Sequence, residues 1–511
     1  MRSTFHGIEV SKRGLFAQQS ALNTTGHNIS NANTEGYTRQ RANMQATPGI
    51  PYPGLNNSTE PGLLGTGVSV VGLQRLREDF LDVQLRTENK HYGYWEARRD
   101  VLQKVEGIMN EPSDTGLQKV MDELWKSWQD LSQNPESLSA RAVVRQRAIA
   151  VTETFAALNT SLTELQTDLD NVVASKVIDI NSMAQQLANL NRQIGDVVPH
   201  GYQPNDLYDQ RDLLLDKLAK LADVKVTNLN SGMIQVTIDG KELVNGRNAV
   251  VMAVEKDATT GFNNITLGGE PFVPASGGLL GTFEARGIPG VDQNGQPIVS
   301  GPVPDIISKL NTLVENMAKE VNDLHVKGMN LTDIENRKAN PTAALEALPF
   351  FVQKDATKPL SASNMQVNPK ILGSLNAIAA AQAEDPATST GVSFHGDGRN
   401  ALAIAGLKFK TLSLTSGASG AIESTTLDDF YRYSIAQLGV DSQEALRMEK
   451  NSELLVGQVD TNRQSVSGVS IDEEMSEMVK YQHAYSASAR VMTSMDEILD
   501  KVINGMGRVG L

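Results

Sequence analysis

The chain has 511 residues, 40% of them hydrophobic and 21% charged, with 46 basic against 60 acidic side chains and a formal net charge of −14. That is too long for one compact core and too apolar for a disordered chain, so roughly two to four packed domains are expected. The acidic balance argues against a nucleic-acid partner, and the absence of cysteine excludes disulfides, thiolate catalysis and Cys-ligated zinc.

Near the N-terminus Ile8, Leu15, Leu22 and Ile29 recur every seven residues, which places them on one face of a helix of about 25 residues. Their neighbours are mostly Ser, Thr, Asn, Gln and Gly, so the apolar stripe is narrow. Arg2, Lys12 and Arg13 are basic, but Leu15-Phe16-Ala17-Gln18-Gln19-Ser20 is no apolar signal region and no A-x-A site follows. A Sec signal peptide is therefore not expected. Membrane insertion is not expected either, because no apolar run approaches the roughly 20 residues of a span.

Residues 93–199 read as strongly helical. Short helices are predicted around 94–109 and 116–131, with breaks at Pro112 and Pro135. Phe155, Leu158, Leu162, Leu165, Leu169 and Val172 then repeat at 3–4 spacing. The register slips by a stutter at Val173 and resumes through Val177, Ile180, Ala184, Leu187, Asn191 and Ile194. No proline interrupts 137–194, so one helix of roughly 85 Å is predicted, a strut rather than a pocket wall. Asn191 on this seam either fixes register or sits exposed at a frayed end.

Asp206, Asp209 and Asp212 bring three carboxylates into seven positions. Such carboxylates could serve acid–base chemistry. An N-cap at Asn205 followed by helical ion pairs to Arg211 explains them without catalysis. Residues 224–300 are rich in Val, Ile, Thr, Gly and Asn. Residues 233–238 alternate in polarity and Asp239-Gly240 is a hairpin signal, so a small β domain is predicted. A helix returns over 304–329, with Ile306, Leu310, Leu313, Met317 and Val321 on one face, and 331–425 is mixed and loop-rich. Within it His395-Gly396-Asp397-Gly398-Arg399-Asn400 lacks the oxygen-ligand ladder of an EF-hand and reads as a tight turn.

From 427 onward the chain is predicted helical. Ile471, Met475, Met478, Gln482, Tyr485, Ala489 and Met492 carry the 4–3 spacing of a coiled-coil seam. It continues out of strict register through Met495, Leu499, Val502 and Met506. Ser470 and Glu473 are placed to form a capping box, and Asp472, Glu473 and Glu474 complement the helix dipole.

Thin single-seam helices are marginal alone in water. Residues 1–45 hold five basic and two acidic side chains, a net of +3; residues 460–511 hold five basic and eight acidic, a net of −3. The two ends are therefore expected to pair, with further copies burying the rest of the seam. The resulting fold class is α+β: elongated and multi-domain, with terminal coiled-coil helices, a long helical-bundle rod domain and a small inserted β domain. The division is 1–45 with 460–511, 46–223 with 301–459, and 224–300. No catalytic, cofactor-binding or metal residue is assigned. The histidines (His6, His27, His91, His200, His325, His395, His483) are scattered without H-x-x-x-H spacing, and G-x-S-x-G, P-loop and G-x-G-x-x-G motifs are absent. An enzyme is not expected.

Residues 22–39, LNTTGHNISNANTEGYTR, and 467–475, SGVSIDEEM, with Tyr481-Gln482 and 484–490, AYSASAR, resemble the paired N- and C-terminal signatures of the flagellar axial family of rod, hook and hook-associated proteins. Within that family, Asn134-Pro135, 190–194 (LNRQI), 205–212 and 396–402 (GDGRNAL) resemble the hook-associated protein 1 branch. The similarity covers essentially the whole chain, least clearly at 240–300 and 331–365, and Gly398 stands where a more polar residue is expected.

The resemblance implies a structural, extracellular part of the flagellum at the hook–filament junction, needed for filament assembly and motility. Export would use the flagellar type III apparatus without a cleaved signal. The implied partners are further copies of the chain, hook protein, hook-associated protein 3 and a cytoplasmic flagellar export chaperone on the C-terminal helix. The expected assembly surface comprises Ile8, Leu15, Leu22, Ile29, Asn33, Gly36 and Tyr37 with Ile471, Met475, Met478, Tyr485, Met492 and Leu499. Gly36 would make a positive-φ turn and Tyr37 would anchor the chain after it. Another axial protein, hook or distal rod, is the first alternative, though a mostly β middle would suit those better. A secreted enzyme or adhesin on flagellar ends is the second, and it would need a pocket or metal within 224–425.

Overall fold

The computed structural model describes residues 5–50, 64–257, 261–291, 297–383, 393–416 and 421–505. Helix α1 (His6–Ser30) leads to an antiparallel hairpin, β1 (Gln40–Ala46) and β2 (Val68–Arg75). Three helices follow: α2 (Asp79–Met109), α3 (Leu117–Gln133) and the 60-residue α4 (Leu138–Val197), about 90 Å long at the usual rise. Helix α5 (Asn205–Leu221) then leads into antiparallel strands β3 (Val224–Asn228), β4 (Ile234–Ile238), β5 (Lys241–Asn245) and β6 (Asn248–Ala249). A second sheet holds β7 (Met252–Lys256), β8 (Asn263–Leu267) and β9 (Glu270–Phe272).

After α6 (Gly277–Arg286) come the hairpin β10 (Ile288–Val291) and β11 (Pro297–Ser300), and then α7 (Pro302–His325). The mixed stretch holds β12 (Gly328–Met329), α8 (Leu331–Ala339), β13 (Phe351–Gln353), β14 (Met365–Val367), α9 (Pro369–Gly373), β15 (Ala381–Gln382), α10 (Arg399–Ala405), β16 (Leu412–Ser416) and β17 (Ala421–Thr425). The chain ends in α11 (Leu427–Ser467) and α12 (Ile471–Gly505).

Two large cores are strung on α4. The first joins α2, α3 and α7 to the start of α11 and the 350–414 stretch, and it uses α4 as far as Leu169. The second begins at Val173 of α4 and closes over α5, α6 and the inner faces of β3–β9. The stutter at Val173 is thus where the helix changes partners: a phase slip rotates its apolar stripe from one core toward the other. The β segment shares its core with three helices. Asn191 is fully buried there, and its amide donates to Ile234 O (2.9 Å) and Gly246 O (2.8 Å) while its carbonyl accepts from Ile234 N (3.3 Å). It clips the sheet to α4, so neither the frayed-end reading nor a helix–helix register role applies.

Three other sequence expectations need correction. Helix α2 starts at Asp79, not near residue 94, because its first turns are held by charge rather than by an apolar stripe. Hairpin β1–β2 was not anticipated. Asn205 is the first residue of α5 rather than its cap, a position held by Pro204. Around 395–400 the turn is present. Asp397 accepts from Ser393, the Gln382 amide and Arg399, and a Cβ at Gly398 would stand 2.1 Å from Ser132 O. That close approach to the end of α3 leaves no room for a side chain, so the position takes glycine rather than the expected polar residue.

Candidate assembly interface

Helices α1 and α12 lie antiparallel and in contact. A Cβ added at Gly7 would meet Met495 Sδ at 2.9 Å, and one at Gly14 would meet Ser488 Oγ at 3.1 Å. Asn28 bonds Glu474. The line that α12 covers is therefore Gly7, Gly14, Ala21 and Asn28, a seven-residue repeat of small residues one position away from the apolar one. Ile8, Leu15, Leu22 and Ile29 flank it and are half-buried, whereas Ser11, Ala17, Ala21, Thr24, Thr25 and Asn28 are buried. On α12, Leu499 is buried, Met478 and Met492 are half-buried, and Ile471, Met475 and Tyr485 remain exposed. Gln482 and Val502 are exposed too, and Met506 lies outside the described residues.

Where the helix pair meets the body, the signature residues build a polar joint. Asn28 Nδ2 donates to Gln40 O (2.8 Å) and Glu474 Oε2 (3.0 Å), while its Oδ1 accepts from Tyr37 OH (2.8 Å) and Gln40 N (3.0 Å). All four capacities of the amide are used. Arg39 donates to Glu474 (2.7 Å) and Glu473 (2.6 Å). Glu473 N does approach Ser470 Oγ at 3.5 Å, but the Glu473 carboxylate turns to Arg39, so the expected reciprocal capping box is only half formed.

Gly36 adopts φ +80°, and a Cβ there would press on Leu213 at 3.1 Å, so the turn before Tyr37 needs glycine on both counts. Burial, then Asp206, Asp209 and Glu474, raise the Tyr37 phenol far above its ordinary pKa, which keeps it a donor. Asn33 and Gly36 line a groove of about 890 Å³ between this loop, α5 and the end of α11.

The carboxylates at 205–212 complete the joint. Asp209 accepts from Thr38 N (3.0 Å) and Arg75 (2.9 Å), and Asp212 accepts from Arg75 (2.9 Å) and also faces Arg77 and Arg86. Arg77 is bidentate on Asp82, and Asp216 takes Arg86 and Arg463. Burial alone would raise the Asp212 pKa; Arg77, Arg75, Arg86 and Arg211 outweigh it and hold the group below the usual carboxylate range. The expected helical pairing with Arg211 does not form as drawn. Arg211 stacks on Tyr208 and donates to Gly232 O instead.

The network ties the hairpin, α2, α5, α11 and α12 into one block. Every carboxylate in it answers a guanidinium or an amide, which is the chemistry of a clamp. Sequence reasoning gave Asn28, Arg39 and Glu474 only as members of the signature runs, with Glu474 assigned to the helix dipole, and it missed Arg75 and Arg77. For Asn28 the seven-residue spacing with Gly7, Gly14 and Ala21 was the signal available. Among the described residues no group of three or more His, Asp or Glu is arranged for a metal, and no helix is long and apolar enough to cross a membrane.

Three family profiles match: the flagellar hook-associated protein FlgK helical domain over 102–338, the flagella basal body rod protein over 8–38, and the flagellar basal body rod FlgEFG protein C-terminal over 462–505. Flagellar hook-associated protein 1 of Bacillus subtilis is 36% identical, with 99% of each chain covered. Those of Salmonella typhimurium and Escherichia coli are 26% and 27% identical, with 97% of this chain and 99% of each relative covered. The fold is similar to that of the flagellar hook junction protein FlgK from Burkholderia pseudomallei, at TM-score 0.58 and 16% identity over 75% of this chain and all of that one. The chain belongs to the flagellar hook-associated protein 1 family, whose members are structural parts of the flagellum.

Proposed function

We propose that the chain is the connector between hook and filament and that it stacks into the axial tube through α1 and α12, without catalysis. One observation carries this reading: the end helices pair with each other yet leave large apolar side chains uncovered on the outside. Phe16 of α1, and Ile471, Met475, Val479, Val491 and Ile498 of α12, are each about half exposed or more. Such a patch marks a contact surface rather than a finished exterior. Stacked copies would bury it, and hook protein below and hook-associated protein 3 above would offer equivalent helices. The same apolar face of α12, with its methionines, suits the groove of an export chaperone before assembly. The reading divides the chain into an end pair, 1–45 with 460–511, a rod body, and the β segment at 224–300. It places the chain outside the cell, exported without a cleaved signal. Phe16→Asp combined with Met475→Asp tests it. The variant should fold as a monomer with unchanged helix content and fail to restore swimming to cells lacking the gene. Normal swimming would overturn the proposal.

A further inference from the structure

We infer that Glu474, docked on Asn28 and Arg39, fixes the axial register of α12 against α1. The inference rests on reading the end helices as the assembly arms. Between them the seam advances in steps of seven. Gly7 faces Met495, Gly14 faces Ser488, Ala21 and Tyr481 line one small cavity, and Asn28 bonds Glu474. A seam of small residues on one repeat is nearly indifferent to a slide of one heptad: Ala21 would take the place of Gly14, and Gly14 that of Gly7.

The fourth step is not interchangeable. Glu474 is 2% exposed and accepts from Arg39 Nε at 2.7 Å and Asn28 Nδ2 at 3.0 Å. Asn28 cannot follow a sliding α12, because its other bonds go to the Gln40 main chain and the Tyr37 hydroxyl, on the same stretch as Arg39. A slide would carry Glu474 opposite Ala21, or out beyond the end of α1, away from both donors. A buried carboxylate does not tolerate the loss of its partners. Glu474 therefore holds one alignment among those the small residues permit, as a lone polar residue does in a coiled coil, and it acts together with the short 468–470 connection that ties α12 to the end of α11. The exposed Met475, Val479, Val491 and Ile498 ride on α12, so the same alignment sets the face offered to the next copy.

The chain contains no cysteine, so introduced pairs report register without background. A Cβ at Gly14 lies 3.7 Å from Ser488 Cβ, inside the usual disulfide separation. In the dilute full-length chain, Gly14→Cys with Ser488→Cys reports the native alignment. Ala21→Cys with Ser488→Cys, and Gly7→Cys with Ser488→Cys, report a slide of one heptad in either direction. With Glu474 present the first pair should oxidise readily and the other two should not. With Glu474→Ala the native cross-link should fall by about a hundredfold, the scale of a broken buried charge contact, and a shifted pair should appear. Glu474→Gln keeps an acceptor for Asn28 and should stay mostly in register.

Unchanged yields in Glu474→Ala would overturn the inference. So would loss of all three cross-links, since the helices would then part rather than slide. A native pair that fails to oxidise with Glu474 in place would refute the helix pairing itself, and the assembly reading with it.

Discussion

Arg141 is 1% exposed, and among the described residues no carboxylate pairs with it. Its guanidinium donates to Pro135 O (2.7 Å), Leu375 O (3.3 Å) and Ile378 O (2.6 Å), and burial pushes its pKa down to about 10. Replacing it with methionine should lower stability by about 3 kcal/mol in urea titrations, because three inward carbonyls lose their donor. His325 is buried with Nδ1 on Leu348 O and Nε2 accepting from Ala379 N. The main-chain N–H fixes Nε2 as acceptor, so the proton sits on Nδ1 and the ring is neutral. Burial lowers its pKa from 6.5 to about 4. The unfolded chain takes up the proton near pH 6.5 and the folded chain only near pH 4, so the stabilisation is complete above the first value and fades between the two. About 3 kcal/mol should be lost across that window. His325→Phe, though less stable at neutral pH, should lack that part of the slope in denaturation curves.

Single helices and strands show what could be read from the letters and what could not. The limits of α4 and its slip at Val173 were legible because apolar spacing is a local property. The joint was not, because Asp209 and Asp212 meet arginines more than a hundred residues earlier in the chain. Only the tertiary fold brings those charges together, and helical proximity pointed to Arg211 instead. The end seam was legible as a pair of amphipathic helices, but the eye follows leucine and isoleucine, whereas close helix approach selects glycine and alanine one position away. Asp212→Asn should therefore loosen α5 from the hairpin and α2, at a cost of about 3 kcal/mol by the measure of a broken buried pair, visible as earlier exchange of the α5 amides. Asp212 is held below the ordinary carboxylate range, so its contribution is present above that range and is lost as pH falls through its lowered value. Asn191→Leu should separate the sheet from α4 by leaving Ile234 O and Gly246 O without donors, with a loss near 3 kcal/mol.

Across the whole molecule, the two cores hold the buried apolar mass and the end helices hold little of it. Removing 1–40 and 465–511 should leave a soluble monomer with a near-native thermal transition that no longer assembles, as sedimentation and calorimetry would show. An insoluble, unfolded remainder would mean that the ends belong to the fold rather than to the tube. The continuity of α4 has a further consequence. Because one unbroken helix belongs to both cores, there is no linker at which they can swivel, and a twist applied to one must reach the other through the hydrogen-bonded spine. The subunit can yield by flexing along its length, but it has no hinge between its two halves.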